Sequence, residues 1–215
     1  VDNCNFTDNR AEAGWGGDVY PEYACGGALY FNGSGTVINS NFTHSTARWG
    51  AAIFFKSPSS VSNCIFFENT AYPMDGGYGY SFADAGAIYF ESDGNVTNSN
   101  FTGNSAYNFG GAIRFNGVGN VTNSNFVHNW VRHDPDYGVG EDDEDYGGAI
   151  FFNVEGSVDN CNFTLSSAKH KGGAIYFNNA GILNNSNFYD SSTGLCGGAV
   201  YFKQAGIVDN SNFSG

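Results

Sequence analysis

Three kinds of side chain in this sequence have types and spacing suited to chemistry. The first is an acidic run. Residues 134–145 place seven carboxylates in twelve positions, with Gly138 and Gly140 among them. Hard oxygen donors separated by turn-forming glycines suit Ca²⁺. The candidate ligands are Asp134, Asp136, Glu141, Asp142, Asp143 and Asp145. The pattern is not an EF-hand, because Gly138 falls where that loop needs a ligand and the closing Glu is missing. Without a cation the run is a solvated acidic loop.

The second kind is aromatic. Trp15, Tyr20 and Tyr23 lie among glycines, as do Tyr72, Tyr78 and Tyr80; Trp130 precedes the acidic run and Tyr137 lies within it. Flat rings with polar tips, beside Asp, Asn and Glu, suit stacking on sugar faces with hydrogen bonds to the hydroxyls. The alternative is that the rings fold back and seal an apolar surface. The third kind is catalytic. Lys and Arg total 8, and Arg132, His133, Asp134 and Asp136 form the one cluster with the residue types of a polysaccharide lyase or hydrolase. Crowded into a single loop, they favour a non-enzymatic reading. Asn-x-Ser/Thr occurs at Asn5, Asn32, Asn41, Asn100, Asn162 and Asn212. Some copies, such as Asn41 and Asn100, fall in the repeating column and are ascribed to turn structure; Asn32 is the best exposed candidate for a glycan.

These groups are carried by a repeated unit. Gly-Gly-Ala-Ile-Arg-Phe begins at Gly110 and is followed by an Asn/Gly turn and Val-Thr-Asn-Ser-Asn-Phe, ending at Phe126. The closing Phe recurs at 6, 42, 66, 101, 126, 163, 188 and 213, at spacings of 36, 24, 35, 25, 37, 25 and 25 residues. A period near 25, sometimes lengthened by about a dozen, marks a stacked array. Each unit holds short β-branched and aromatic runs separated by Gly/Asn punctuation, and no window has a helical period. One unit is therefore one coil of a right-handed parallel β-helix of about eight coils, ~25 residues each. Coils spaced at about 4.8 Å make a rod roughly 35 Å long.

The columns predict which side chains face inward. The aliphatic positions Val37, Val61, Val96, Val121, Val158, Leu183 and Val208 face in, and so do the invariant Phe columns. Two residues beyond each aliphatic stands an Asn in every coil (Asn39, Asn63, Asn98, Asn123), read as an amide ladder at a bend. In the other strand the penultimate column runs Tyr30, Phe54, Tyr89, Arg114, Phe151, Tyr176 and Tyr201. A buried unpaired Arg is costly, so this column faces out and forms an exposed aromatic strip. Tyr30, Tyr89 and Arg114 join the candidate ligand contacts on that ground. His44 and His128 are expected in solvent.

The extra residues of the long coils, 10–24, 71–84 and 130–146, all fall just before Gly-Gly-Ala. They form three insertions at one corner, in alternate coils, with roots about 10 Å apart along one edge. Such edges often bind. Residues 1–215 read as a single solenoid, expected to be a segment of a longer array because both ends fall mid-coil. Strand edges at the ends could pair with further copies, giving a fibre or sheath as an alternative function. The net charge of −13 argues against nucleic acid and anionic membrane. Cys4, Cys64 and Cys161 share a column that holds Ser elsewhere, in coils too far apart for disulfides; they read as buried thiols.

The paired signatures Gly-Gly-Ala-Ile and Phe-x-x-Asn resemble the repeats of chlamydial polymorphic outer-membrane proteins. The Asn-rich form, with Gly172–Asn178 and Asn98–Ala106, resembles the adhesin-like surface proteins of methanogenic archaea. The resemblance covers nearly all of the chain outside the insertions. It departs from the pattern at Ser45, Ser166 and Ser191, at Gly50-Ala51-Ala52 and at Ala85-Gly86-Ala87. It implies a right-handed β-helix displayed outside the cell and used in attachment, with no catalytic residues. The expected function is an extracellular, cell-surface adhesin-like protein that is not an enzyme and binds a glycan or surface protein of another cell along the insertion edge.

Overall fold

The computed structural model describes residues 1–12, 24–73, 82–131 and 145–215. Within them the chain is all-β and forms four parallel sheets of stacked short strands. We number the sheets in the order in which the chain visits them after residue 28. Sheet 1 has seven strands, from Leu29–Phe31 to Val200–Phe202. Sheet 2 has seven, from Thr36–Ile38 to Gly206–Asp209. Sheet 3 has eight, from Asn5–Thr7 to Asn212–Ser214, and sheet 4 has six two-residue strands, from Thr46–Ala47 to Ser192–Thr193. Each strand pairs with its own copies in the coils on either side: Phe90 is in register with Phe55 and Phe115, and Phe101 with Phe66 and Phe126. This is a parallel β-helix with the expected columns.

The columns predicted to face inward do so from coil to coil except in the last, where Val208 and Phe213 are exposed. Phe42, Phe66, Phe101, Phe126 and Phe163 are fully buried and stack with ring centroids 4.7–5.0 Å apart, their planes within 5°. A second Phe stack runs through Phe55, Phe90, Phe115, Phe152 and Phe177, and one hydrophobic core joins both stacks to the Ile and Val columns. Rings this close and parallel gain dispersion along the whole rod.

Turns explain the remaining invariants. Asn3, Asn39, Asn63, Asn98, Asn123, Asn160, Asn185 and Asn210 all have φ between 45° and 53°. This left-handed region is one that Asn tolerates better than other L-residues. Backbone geometry is thus what demands an Asn in each coil. The ladder expected of these side chains forms in stretches on the exposed corner, as Asn160 donating to Asn123 at 2.7 Å and Asn210 donating to Asn185 at 2.7 Å. In the coils that keep Gly-Gly-Ala the first glycine has φ of 63–69°, and a Cβ on the second of the central coils would collide with the neighbouring coil: at Gly111 it would lie 2.1 Å from the Gly148 carbonyl oxygen.

A buried amide ladder was not anticipated. Asn69 and Asn104 each donate through Nδ2 to the Oδ1 of the next coil's Asn, at 2.9 Å to Asn104 and 3.1 Å to Asn129. The same Nδ2 atoms bond carbonyls of the coil below, Phe42 and Phe66, each at 3.0 Å. Where Ser replaces Asn, at Ser45, Ser166 and Ser191, the hydroxyl is buried without a partner. Those coils forfeit bonds that the Asn coils make.

All five cysteines are free. Cys64 and Cys161 are buried as expected, each donating to the carbonyl two residues back, at 3.2 and 3.3 Å.

The expected exposed aromatic strip is overturned. Its rings do point away from the core, but Phe54 and Tyr89 are 6% exposed, Phe151 5% and Tyr176 2%. They lie beneath a column just before Gly-Gly-Ala, in which Cys25, Trp49 and Asp84 bridge in sequence, as do Phe109, Tyr146, Lys171 and Cys196. Trp49 and Cys25 pack on Phe54 and Tyr89; Phe109 and Tyr146 pack on Phe151 and Tyr176. A second apolar layer is built outside the barrel wall.

Candidate binding edge

Sheet 4 leads into the insertion corner. Its outward column is Thr46, Thr70, Ser105, Trp130, Ser167 and Ser192, so Trp130 is the one aromatic among hydroxyls. The inward column, mostly Ala, is too small to hold the strands far from the wall. Tyr72 leaves the strand Thr70–Ala71 just before the second insertion, and Trp130 sits at the root of the third. The two come together as walls of one groove of about 390 Å³, floored by Thr70, Ala71, Ser105 and Ala106. Tyr107, from the coil between, is the third ring. It meets Tyr72 edge-on, with centroids 6.5 Å apart at 85°. The Thr70 and Ser105 hydroxyls are 3.2 Å apart on the floor. Tyr72 is 37% exposed, Tyr107 only 3%. His128 flanks the outer face of Trp130 at 5.1 Å. The groove therefore pairs aromatic walls with a hydroxyl floor, and among the described residues its lining holds no carboxylate, Lys, Arg or His.

The other ligand candidates separate into two groups. Tyr30 is 50% exposed and stacks on Phe54 at 5.3 Å, so it stays available at one end of its column. Tyr89 and Arg114 do not. Arg114 lies 5.4, 5.0 and 5.3 Å from the Tyr89, Phe109 and Phe151 ring centroids, and its Nη1 donates to Asp84 Oδ2. Its Nε donates to Asn116 at 3.2 Å, and the Asn116 amide donates to the Tyr89 hydroxyl at 2.7 Å. Arg114 is thus a half-buried structural cation held by its neighbours, contrary to the expectation of a ligand contact. Its exposure was inferred from the cost of burying an unpaired Arg, and the partner, Asp84, lies in the covering column. Burial pushes the Asp84 carboxyl above its ordinary value, against the pull of Arg114 and of a bond from the Phe109 N–H. Burial likewise pushes the Tyr89 hydroxyl up, the Arg114 charge opposing.

Asp145 also departs from expectation. It was read as a ligand on a solvated loop, but it is fully buried, and its backbone N–H donates to His170 Nδ1 at 3.2 Å. Among the described residues no three metal-binding side chains cluster. Trp15, Tyr20, Tyr23, Tyr78, Tyr80, Tyr137, Arg132, His133, Asp134, Asp136, Glu141, Asp142 and Asp143 lie outside the described residues. Asn32 is exposed as anticipated. Asn41 and Asn100 are not turn residues: they open strands of sheet 3, and their side chains are exposed. The turn residues are Asn39 and Asn98. His44 and His128 face solvent as expected; His44 stands between Asp8 at 3.4 Å and Glu68 at 3.1 Å.

Tyr107 and the floor hydroxyls were missed because Tyr107 belongs to a coil with no insertion. The signal was its place two residues after Ser105, equivalent to Tyr72. Comparison of the chain with protein-family models, with curated proteins and with solved structures finds no match.

Proposed function

We propose that the chain is a cell-surface, extracellular adhesin-like β-helix that binds a carbohydrate of another cell's surface along the insertion edge. The observation that supports it is the groove between Tyr72 and Trp130. Two rings far apart in sequence are brought to one site, above paired hydroxyls, on the edge from which the insertions depart. Aromatic walls with a few polar groups on the floor are the makeup of a sugar subsite, and about 390 Å³ is within the usual range of small-molecule sites. Among the described residues the lining is aromatic, hydroxyl and Ala, a makeup suited to holding a sugar. Tyr30 can contribute from the wall; Tyr89 and Arg114 are withdrawn from the contact set.

A glycan array read with and without EDTA tests this. Wild type retains a defined set of neutral glycans, and Trp130→Ala and Tyr72→Ala each weaken retention at least about tenfold, the size of one lost stacking contact. Retention unchanged in both variants would remove the groove from the function. Loss of binding in EDTA would assign Ca²⁺ to the acidic run; binding insensitive to EDTA would set the cation aside.

A further inference from the structure

Sheet 3 buries its Phe stack on one side and turns its other side to solvent. Each of its eight strands puts two side chains outward, giving sixteen. They are Asn or Thr in most coils, with Ile65, Phe67, Val127 and Tyr189 as apolar members, and none is charged. The chain has 29 charged side chains (21 acidic and 8 basic), so an uncharged strip running its whole length is notable. The charges stand at its margins: Asp159 and Asp209 in sheet 2 on one side, Asp8, Glu68 and Asp190 in the following turn on the other.

The Asn column is ordered. Asn125 donates to Asn100, Asn162 to Asn125, Asn187 to Asn162 and Asn212 to Asn187, each at 2.9 Å. A carboxamide has two N–H donors and two carbonyl lone pairs. The ladder uses one of each, leaving one donor and one acceptor per coil for solvent. Thr102, Thr164 and Ser214 add hydroxyls in the parallel column. The rings beneath fix the repeat, with centroids 4.7–4.8 Å apart from Phe101 to Phe213. The result is a rigid, neutral, periodic row of amide and hydroxyl groups with exposed apolar patches, Ile65 at 46% and Tyr189 at 54%.

We infer that this face docks an extended neutral polysaccharide lying along the rod axis. Ring hydroxyls pair with the outward amide N–H and C=O groups, and the apolar faces of sugar rings rest on Ile65, Phe67 and Tyr189. Each hydroxyl bond nets little alone, but the row repeats it coil after coil at no conformational cost to the protein. An anionic polymer is repelled by the marginal carboxylates and the net charge of −13. A cationic partner would settle on those margins rather than on the strip between them. This surface is separate from the Tyr72–Trp130 groove, and either can fail without the other.

The test is depletion of the protein from solution by suspended microcrystalline cellulose, chitin and insoluble mannan, with insoluble pectate as the acidic control. At least one neutral solid depletes the protein and pectate does not; no depletion by any of the three, or equal depletion by pectate, overturns the inference. Asn125→Asp/Asn162→Asp puts two charges at the centre of the strip with side-chain shape kept, and is expected to weaken depletion at least about tenfold. Thr164→Lys, outside the ladder and of opposite sign, is expected to weaken it as well and stands in should the first variant melt early. Depletion unaffected by both overturns the inference, as does weakening by the aspartates with strengthening by the lysine, which would be bulk electrostatics. Depletion lost in Trp130→Ala but kept in both strip variants would return the polysaccharide to the groove and overturn the inference. Self-association abolished by Asn162→Asp, without depletion by any solid, would assign the face to a second copy of the chain and overturn the proposal.

Discussion

Two aromatic stacks run side by side through sheet 1, one residue apart in sequence and on opposite sides of the same strands. The inner one is Phe in every coil; from Phe90 to Phe202 its rings lie within 4° of parallel. The outer one mixes Tyr, Phe and Arg114, and it is dry only because a further column closes over it. The inner stack needs nothing but its own repetition. The outer stack depends on residues before Gly-Gly-Ala that vary from coil to coil, so its burial is assembled locally. A periodic solenoid can thus carry a regular interior and an irregular second layer on the same strands.

The largest effect should come from the inner stack. Phe115→Ala opens a cavity between fully buried neighbours and should cost about 3–5 kcal/mol by denaturant unfolding. A loss below about 1 kcal/mol would mean that neighbouring coils close the gap, and that repetition is not what holds the core. The outer stack is broken next most severely at its one cation. Arg114→Ala takes from the buried Asp84 its main cation, leaving the Phe109 N–H and the weaker pull of Arg48, and should cost about 3 kcal/mol at neutral pH. The pH dependence of that deficit has a definite sign. Burial raises the Asp84 carboxyl, so the folded state favours the protonated form. Stability tied to that group is present below the ordinary carboxylate range and lost as pH rises through the folded value. The deficit of Arg114→Ala therefore shrinks as the pH is lowered. Asp84→Ala/Arg114→Phe, which restores an aromatic between Tyr89 and Phe151, should recover most of the loss; failure to recover would show that the pair does more than fill its columns.

A smaller contrast separates an interior ring of the outer stack from the ring at its start. Tyr176 is 2% exposed and Tyr30 is 50% exposed. Tyr176→Ala should cost about 2 kcal/mol and Tyr30→Ala less than about 0.5 kcal/mol. Equal costs would deny that the covering column excludes water.

The division between the stacks is also the division between what the sequence shows and what it hides. The Phe columns, the aliphatic column and the Asn of every coil were legible because one side-chain type answers one repeated environment. The second layer was not, because Trp49, Phe109 and Tyr146 share their column with Cys25, Asp84, Lys171 and Cys196, and no one residue type dominates. The aromatic residue directly before Gly50, Gly110 and Gly147 was the available signal. Arg114 misled because its partner lies in a column that the repeat does not display. At the binding edge, Tyr72 and Trp130 were identified from composition beside the insertions, whereas the groove itself follows from register, which sets Thr70 next to Ser105 and Ser105 next to Trp130.

The thiols sharpen the comparison with no change to packing. Cys64 and Cys161 belong to the inner wall, Cys25 and Cys196 to the covering column. Burial pushes the Cys161 thiol from 9.0 up to about 12. The Cys25 thiol goes from 9.0 to about 11, through burial first and the Glu91 charge second, against Arg48. If the covering column makes a true second interior, Cys25 behaves like a core thiol although it lies outside the barrel wall. Two pH units lower its thiolate fraction about a hundredfold at pH 8. A disulfide reagent at that pH should therefore label the exposed Cys196 first, with Cys25, Cys64 and Cys161 lagging until the protein unfolds. The same shifts make these thiols stabilising below pH 9, a contribution lost as the pH rises through about 11 and then about 12. Mass mapping of the first-labelled site decides the matter: if Cys25 reacts as fast as Cys196 in the folded protein, the column before Gly-Gly-Ala is an open surface, and the inner and outer stacks differ in kind rather than in regularity.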